Sequence, residues 1–311
     1  MTQPARATSR PLRVIAIASG KGGVGKTQIA VSLAVDLAAQ GRRVLIMDSD
    51  IGLANADLLL DVNPSWGLVD VARGLVPIEA AIIPTPLGPS LLPGKAANAT
   101  ELTDDEKLAL MASLDSLGDS FDWVVIDTSA GLGDNPLFFA SASEEILLIT
   151  TPEPTALADT YATARALLRR TNRRRLSLVV NMAEDLHEAA RVHERLNLLV
   201  KRFCAAEIDL AGWVAFDSSV HEAVMERLPI VVERPTSMAG KRLRVLSQHL
   251  LKTAPSQIAD SEVPSELRFF WQHVYGQASR RVPVEPAAPD VEKFFGGGPL
   301  PRLAPPAGAP E

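Results

Sequence analysis

The chain has a single cysteine, Cys204, among 311 residues. No internal disulfide can form and no cysteine-rich metal site can be built, so a reducing, cytosolic setting is expected. Aromatic residues are scarce at 5%, and cations do not outnumber acids: 31 lysines and arginines face 37 aspartates and glutamates, for a net charge of −6. That balance excludes a wholesale nucleic-acid binder and leaves room only for a local basic patch. Long hydrophobic runs are also missing. The opening MTQPARATSRPLR has no apolar stretch of the kind a secretion signal needs, and no later run nears the roughly 20 apolar residues of a membrane span. The expectation is a cytoplasmic chain, attached at most to the inner face of the plasma membrane.

What the sequence does contain is 47% hydrophobic residues with many Ala, Val and Leu, a composition that suits an α/β protein. Short runs at 12–18, 43–47, 122–126, 145–150, 176–180 and 210–216 mostly lack polar alternation, as strands covered on both faces do. Helix-length segments at 26–40, 102–117, 154–170, 184–203, 217–227 and 237–252 separate them. This order predicts a doubly wound, mostly parallel sheet in a single domain over 12–254, with ligands at the carboxyl ends of the strands. Residues 1–11 read as a flexible start and 255–276 as a linker with a short amphipathic helix. From 277 to 311 the chain is too rich in Pro and Gly for a packed core and reads as a disordered tail.

The stretch GKGGVGKT at 20–27 follows the first apolar run and opens the first helix. Gly20, Gly25, Lys26 and Thr27 match the phosphate-binding loop in its required strand–loop–helix context. In such a loop the backbone of Gly20, Gly22, Gly23, Val24 and Gly25 closes on phosphate oxygens. Lys26 neutralises β/γ charge, and the Thr27 hydroxyl ligates Mg²⁺. Two acidic stretches sit at strand ends. MDSDIGLANADLLL carries Asp48 and Asp50, one suited to a metal-bound water and the other to orienting an attacking water; VVIDTSAGLG carries Asp127, suited to the metal. The expected ligands are therefore a nucleoside triphosphate and Mg²⁺.

These motifs resemble the MinD/ParA family of dimerising ATPases with a deviant phosphate loop. Residues 121–160, with DTSAGLGDN and LITTPEPTALADTY, and 214–229, with VAFDSSVHEAVMERLP, are similar to the branch containing FlhG/FleN, regulators of flagellar number. The resemblance spans roughly 12–252. It implies ATP as the nucleotide and a homodimer formed on ATP binding, in which Lys21 crosses to the partner's phosphates as a charge supplied in trans. It also implies that Asn181, in LSLVVNM, reads adenine. A flagellar or transcription-regulator partner is implied as well, so the expected function is a slow switch ATPase for the number or placement of polar flagella; division-site selection or cargo partitioning of the MinD/ParA kind is the alternative.

Two departures bear on this. The D-Q-A-x-x-L-R element found at the start of many FlhG proteins is missing from MTQPARATSR, and AFD at 215–217 stands where relatives have P-[YF]-D. One cysteine is too few for the iron–sulfur carriers of the same superfamily, and a tail whose aromatics are Phe294 and Phe295 does not fit the tyrosine-kinase relatives. Arg165, Arg169, Arg170, Arg173, Arg174 and Arg175 could contact DNA phosphates, but cations at a helix C-terminus on a solvated face are the preferred account of them, so DNA is not favoured. Leu267, Phe270, Trp271, Val274 and Tyr275 form one apolar helix face over 265–275. That face suits either a membrane surface or the parent domain, with Arg268 as nearly its only nearby cation.

Overall fold

The computed structural model describes residues 12–51, 54–95, 101–117, 120–171 and 173–253. The expected flexible start, the amphipathic helix at 265–275 and the Pro/Gly-rich tail lie outside the described residues. Six expected strands are present: β1 (Arg13–Ala18), β2 (Val44–Asp48), β5 (Trp123–Asp127), β6 (Glu145–Thr150), β7 (Arg175–Ala183) and β8 (Glu207–Ala215). A short hairpin, β3 (Ile83–Pro84) and β4 (Ser90–Leu92), completes one eight-stranded sheet of order β3-β4-β2-β5-β1-β6-β7-β8. Every pairing is parallel except β3 with β4. Pro84 on the outermost strand limits further pairing at that edge.

The unalternating strands have a direct cause. In β1, Val14, Ala16 and Ala18 enter one apolar core while Ile15 and Ile17 enter another. The first core is roofed by α5 (Asp104–Asp115), α6 (Asp134–Ala142), α7 (Pro154–Thr171) and α8 (Leu186–Cys204), together with the short α3 (Leu68–Ala72) and α4 (Ile78–Ala81). The second lies under α1 (Lys26–Ala39) and α11 (Met238–Lys252), with α2 (Ala56–Leu59), α9 (Ser218–Met225) and α10 (Ile230–Glu233). Both faces of the strands are covered, so apolar residues fill their middles and the buried polar ones, such as Asp48, Asp127 and Glu145, stand at strand ends.

At the amino edge of the sheet, strand starts are tied by charge. Arg13 pairs with Glu145 at 3.2 Å, stacks over Trp123 at 4.3 Å and donates to the Leu250 carbonyl at the end of α11. Arg43 pairs with Asp122 at 2.8 Å. At the other edge, Asp217 gathers the starts of two helices, accepting from Ser219 N at 3.0 Å and Ala239 N at 3.2 Å.

Candidate nucleotide site

The loop between β1 and α1 is shaped by its glycines. Gly23 and Gly25 have φ of +80° and +88°, a region costly for side-chain-bearing residues. Gly20 lacks a Cβ for a different reason: one placed there would stand 2.2 Å from the Asp159 carbonyl on α7. A Cβ on Gly25 would meet Asn181 Nδ2 at 2.4 Å. That amide instead donates to the Val24 carbonyl at 2.8 Å, so β7 braces the loop directly.

Around the loop the structure brings Lys26, Thr27, Asp48, Asp50 and Asp127 together. Asp48 and Asp127 lie abreast in the β2–β5 register. Lys26 is buried; desolvation lowers its pKa, while the charges of Asp127, Asp50 and Asp48 act in the opposite sense. Burial raises the Asp127 carboxyl, and the nearby Asp48 raises it further, against a hydrogen bond from Thr27 and the charge of Lys26. Burial likewise raises Asp48 and the half-buried Asp50, the latter opposed by Lys26.

The three carboxylates have different tasks in this geometry. Asp48 Oδ1 accepts from Asp50 N at 3.0 Å, and Oδ2 accepts from Asn55 N and Ala56 N at 3.2 Å each. Both of its oxygens thus hold the loop that carries Asp50 and the first turn of α2. Asp50 projects from that loop toward Lys26 closely enough for the two charges to interact. Asp127 Oδ1 is buried with no hydrogen-bond partner. An orphaned, fully desolvated carboxylate oxygen on a rigid strand end, beside a loop threonine, fits a divalent cation. Among the described residues no group of three His, Cys, Asp or Glu forms a self-sufficient metal site.

Lys21 stands apart from this cluster. Its ammonium donates to Glu153 Oε2 at 2.8 Å and Thr155 Oγ1 at 3.0 Å, at the start of α7, and its side chain is 38% exposed. Glu153 and Thr155 were not among the residues singled out from sequence; the signal available was an acid in TTPEPTA, just past β6.

The arginine cluster dissolves into internal contacts. Arg170 pairs with Asp134 at 2.8 Å, and Arg173 donates to the Ser143 and Glu144 carbonyls. Arg174 reaches the Ala205 carbonyl at 3.5 Å, and Arg175 pairs with Glu207 at 3.3 Å. Arg165 and Arg169 also have partners. Among the described residues, no helix is long and apolar enough to cross a membrane.

A parallel α/β sheet with a glycine loop between its central strand and a helix, a buried lysine, and acids at adjacent strand ends defines a phosphate-loop nucleoside triphosphatase. The ParA family model, described as NUBPL iron-transfer P-loop NTPase, matches residues 11–251, and the chain belongs to that family. It is 34% identical over 242 residues to the antiactivator FleN of Pseudomonas aeruginosa, covering 76% of this chain and 86% of that protein. It is 32% identical over 218 residues to the flagellum site-determining protein YlxH of Helicobacter pylori, covering 69% and 74%. Among solved structures, the septum site-determining protein MinD of Pyrococcus horikoshii, complexed with Mg-ADP, superposes with a TM-score of 0.63 at 27% identity, covering 78% of this chain and 96% of that one.

Proposed function

We propose that this chain is an ATP-driven dimerising switch that controls the number or placement of polar flagella. The similarity to FleN and YlxH supports the flagellar part. ATP and Mg²⁺ are supported by the complete phosphate loop, by the orphaned Asp127 oxygen and by the Mg-ADP complex of the similar MinD. Thr27 and Asp127 would hold the ion, whose charge would stabilise the β- and γ-phosphates. Lys26 and the amides of residues 20–25 bind the phosphates, and Asp50 orients the attacking water. Asp48 keeps Asp50 in place, and Asn181 steadies the loop through Val24 and would read adenine, as the family resemblance implies.

The observation that carries the switch is Lys21. A second cation in a phosphate loop would be expected to point at its own phosphates, yet this one is turned outward onto Glu153 and Thr155. Held there, it is available to a second copy of the chain approaching the strand carboxyl ends, where its charge completes the partner's site. Hydrolysis then removes the γ-phosphate contacts that hold the dimer.

Lys21→Ala tests this by sedimentation with a non-hydrolysable ATP analogue. The variant should bind the analogue yet stay monomeric. A charge-assisted phosphate contact contributes roughly 1.5–3 kcal/mol, and a two-fold dimer contains two of them. Dimerisation should therefore weaken by about two to four orders of magnitude. Dimerisation as tight as wild type would show that Lys21 is only local charge.

The structural likeness to MinD favours division-site or cargo positioning as a second reading. Co-purification with the ATP-locked protein separates the two: basal-body or transcription-regulator partners support the flagellar reading, septum or centromere-binding proteins the other.

A further inference from the structure

Past their paired ends, β2 and β4 continue side by side. Leu45, Ile46 and Met47 pair in parallel with Ser90, Leu91 and Leu92, so Pro93, Gly94 and Lys95 run beside the stretch that carries Asp48 and Asp50. The approach is close. A Cβ on Gly94 would stand 2.7 Å from the Asp48 carbonyl oxygen and 3.0 Å from that of Asp50, where an ordinary contact begins at 3.4 Å. Gly94 is not among the glycines of positive φ, so room, rather than backbone conformation, is what glycine supplies here.

Segment 93–95 is itself fixed by a third piece of chain. Leu68 N donates to the Pro93 carbonyl at 2.8 Å, and Lys95 Nζ donates to the Pro64 carbonyl at 2.7 Å. A Cβ on Gly67 would stand 2.4 Å from the Lys95 carbonyl oxygen, so this contact too is made backbone to backbone. The main chain of Asp50 is therefore bounded twice. Its N–H donates to the Asp48 carboxylate, and its carbonyl lies against Gly94. Reacting groups depend on such placement, since a shift of about 1 Å can cost roughly a hundredfold in rate.

We propose that Gly94 is a positioning residue for ATP hydrolysis: by leaving room for the Asp48 and Asp50 carbonyls, it sets how far the Asp50 carboxylate reaches toward the nucleotide. The inference rests on the reading of Asp50 as the residue that orients water. It also gives the β3–β4 hairpin a task at the site, since β4 is what brings Gly94 there. A side chain at position 94 would drive the two carbonyls back by roughly half an ångström to restore ordinary contact. The three atoms nearest to it all belong to Asp48 and Asp50, and none to the phosphate loop.

In the full chain, Gly94→Ala should bind ATP within about threefold of wild type by calorimetry, yet release phosphate about tenfold or more slower at saturating ATP. A double-mutant comparison isolates the route. In an Asp50→Ala background, adding Gly94→Ala should change the residual rate by less than about twofold, because the residue it acts through is gone. Gly240→Ala reproduces the clash elsewhere, its Cβ falling 2.7 Å from the Arg234 carbonyl oxygen; it should lower the melting temperature and leave turnover unchanged. If Gly94→Ala does not fold, Lys95→Met, which removes only the tie to Pro64, should slow turnover about threefold or more with ATP affinity kept. Normal turnover in folded Gly94→Ala, or in Lys95→Met where the first variant does not fold, overturns the proposal. So does a further tenfold loss in the Asp50→Ala background, or an equal loss of turnover in Gly240→Ala. Should Asp50→Ala itself hydrolyse ATP at the normal rate, the reading of Asp50 and this inference fall together; if it is slow while Gly94→Ala is normal, this inference alone falls.

Discussion

The two edges of the sheet use buried charge in opposite ways. At the amino edge, where strands begin, Arg13 faces Glu145, Arg43 faces Asp122 and Arg173 donates to two carbonyls, although Arg42 Nε and Arg173 Nε have no hydrogen-bond partner. At the carboxyl edge, the carboxyl groups of Asp48 and Asp127 lie side by side, Asp48 disfavours ionisation of Asp127, and Asp127 keeps an oxygen without a partner. The first edge sets opposite charges against each other. The second gathers acids around one lysine, an arrangement that suits an incoming phosphate and cation. An internally complete pair is evidence for architecture, and an incomplete one is evidence for a ligand.

Substitutions at the two edges can break or sharpen that contrast. The largest effect belongs to Lys26→Ala, which leaves the phosphates without their fixed cation; nucleotide binding should fall more than about a hundredfold, as measured by calorimetry. Near-normal affinity would displace the site. Asp50→Ala should keep ATP bound while turnover falls by about a hundredfold or more, so that dimer accumulates. A variant that hydrolyses ATP at the normal rate would remove Asp50 from the reaction.

At the amino edge, Arg13→Ala strands Glu145 in a buried setting. Breaking such a pair costs about 3 kcal/mol, or roughly 6–12 °C in melting temperature for a domain this size, while the KM for ATP should not move. A changed KM with an unchanged melting temperature would reverse the assignment of the two edges.

The smallest effect concerns Asp127→Asn. Burial and Asp48 raise the Asp127 pKa, so the nucleotide-free folded protein retains a proton that the unfolded chain has released. Stability should therefore decline as pH rises above about 4, the ordinary aspartate value, up through the raised folded value. Asp127→Asn should flatten that decline and add about 1–3 kcal/mol at pH 8, read by thermal unfolding without nucleotide or Mg²⁺. A steeper decline in the variant would show that Asp127 is ionised and matched in the free protein.

Much of this was legible from local sequence. The glycine loop announces itself because phosphate binding needs consecutive residues, and Asp127 stands out because an acid ends a run of otherwise apolar residues. The β3–β4 hairpin was missed: β4 is three residues long, and the hairpin connection, TPLGP, reads as a plain turn. Nor could spacing reveal that Asn181 grips Val24, 157 residues away, or that Lys21 rests on Glu153, 132 residues away. Such contacts exist only once the strand order is known. For the arginine run, which sequence reading did not assign to DNA, the count of cations says nothing of the carbonyls and carboxylates that the fold sets against Arg173 and Arg175.

Gly20 carries a warning for mutational scanning. It belongs to the phosphate loop, yet any side chain there would strike the backbone of α7 at Asp159. In an activity screen every substitution at Gly20 would score alongside Lys26, and the shared score would invite a shared explanation. The causes differ: one is loss of charge from the phosphates, the other displacement of the helix whose start holds Lys21. Activity alone cannot tell a contact residue from a spacer, whereas nucleotide affinity and unfolding temperature, measured side by side, will sort the glycines of this loop by what each makes room for.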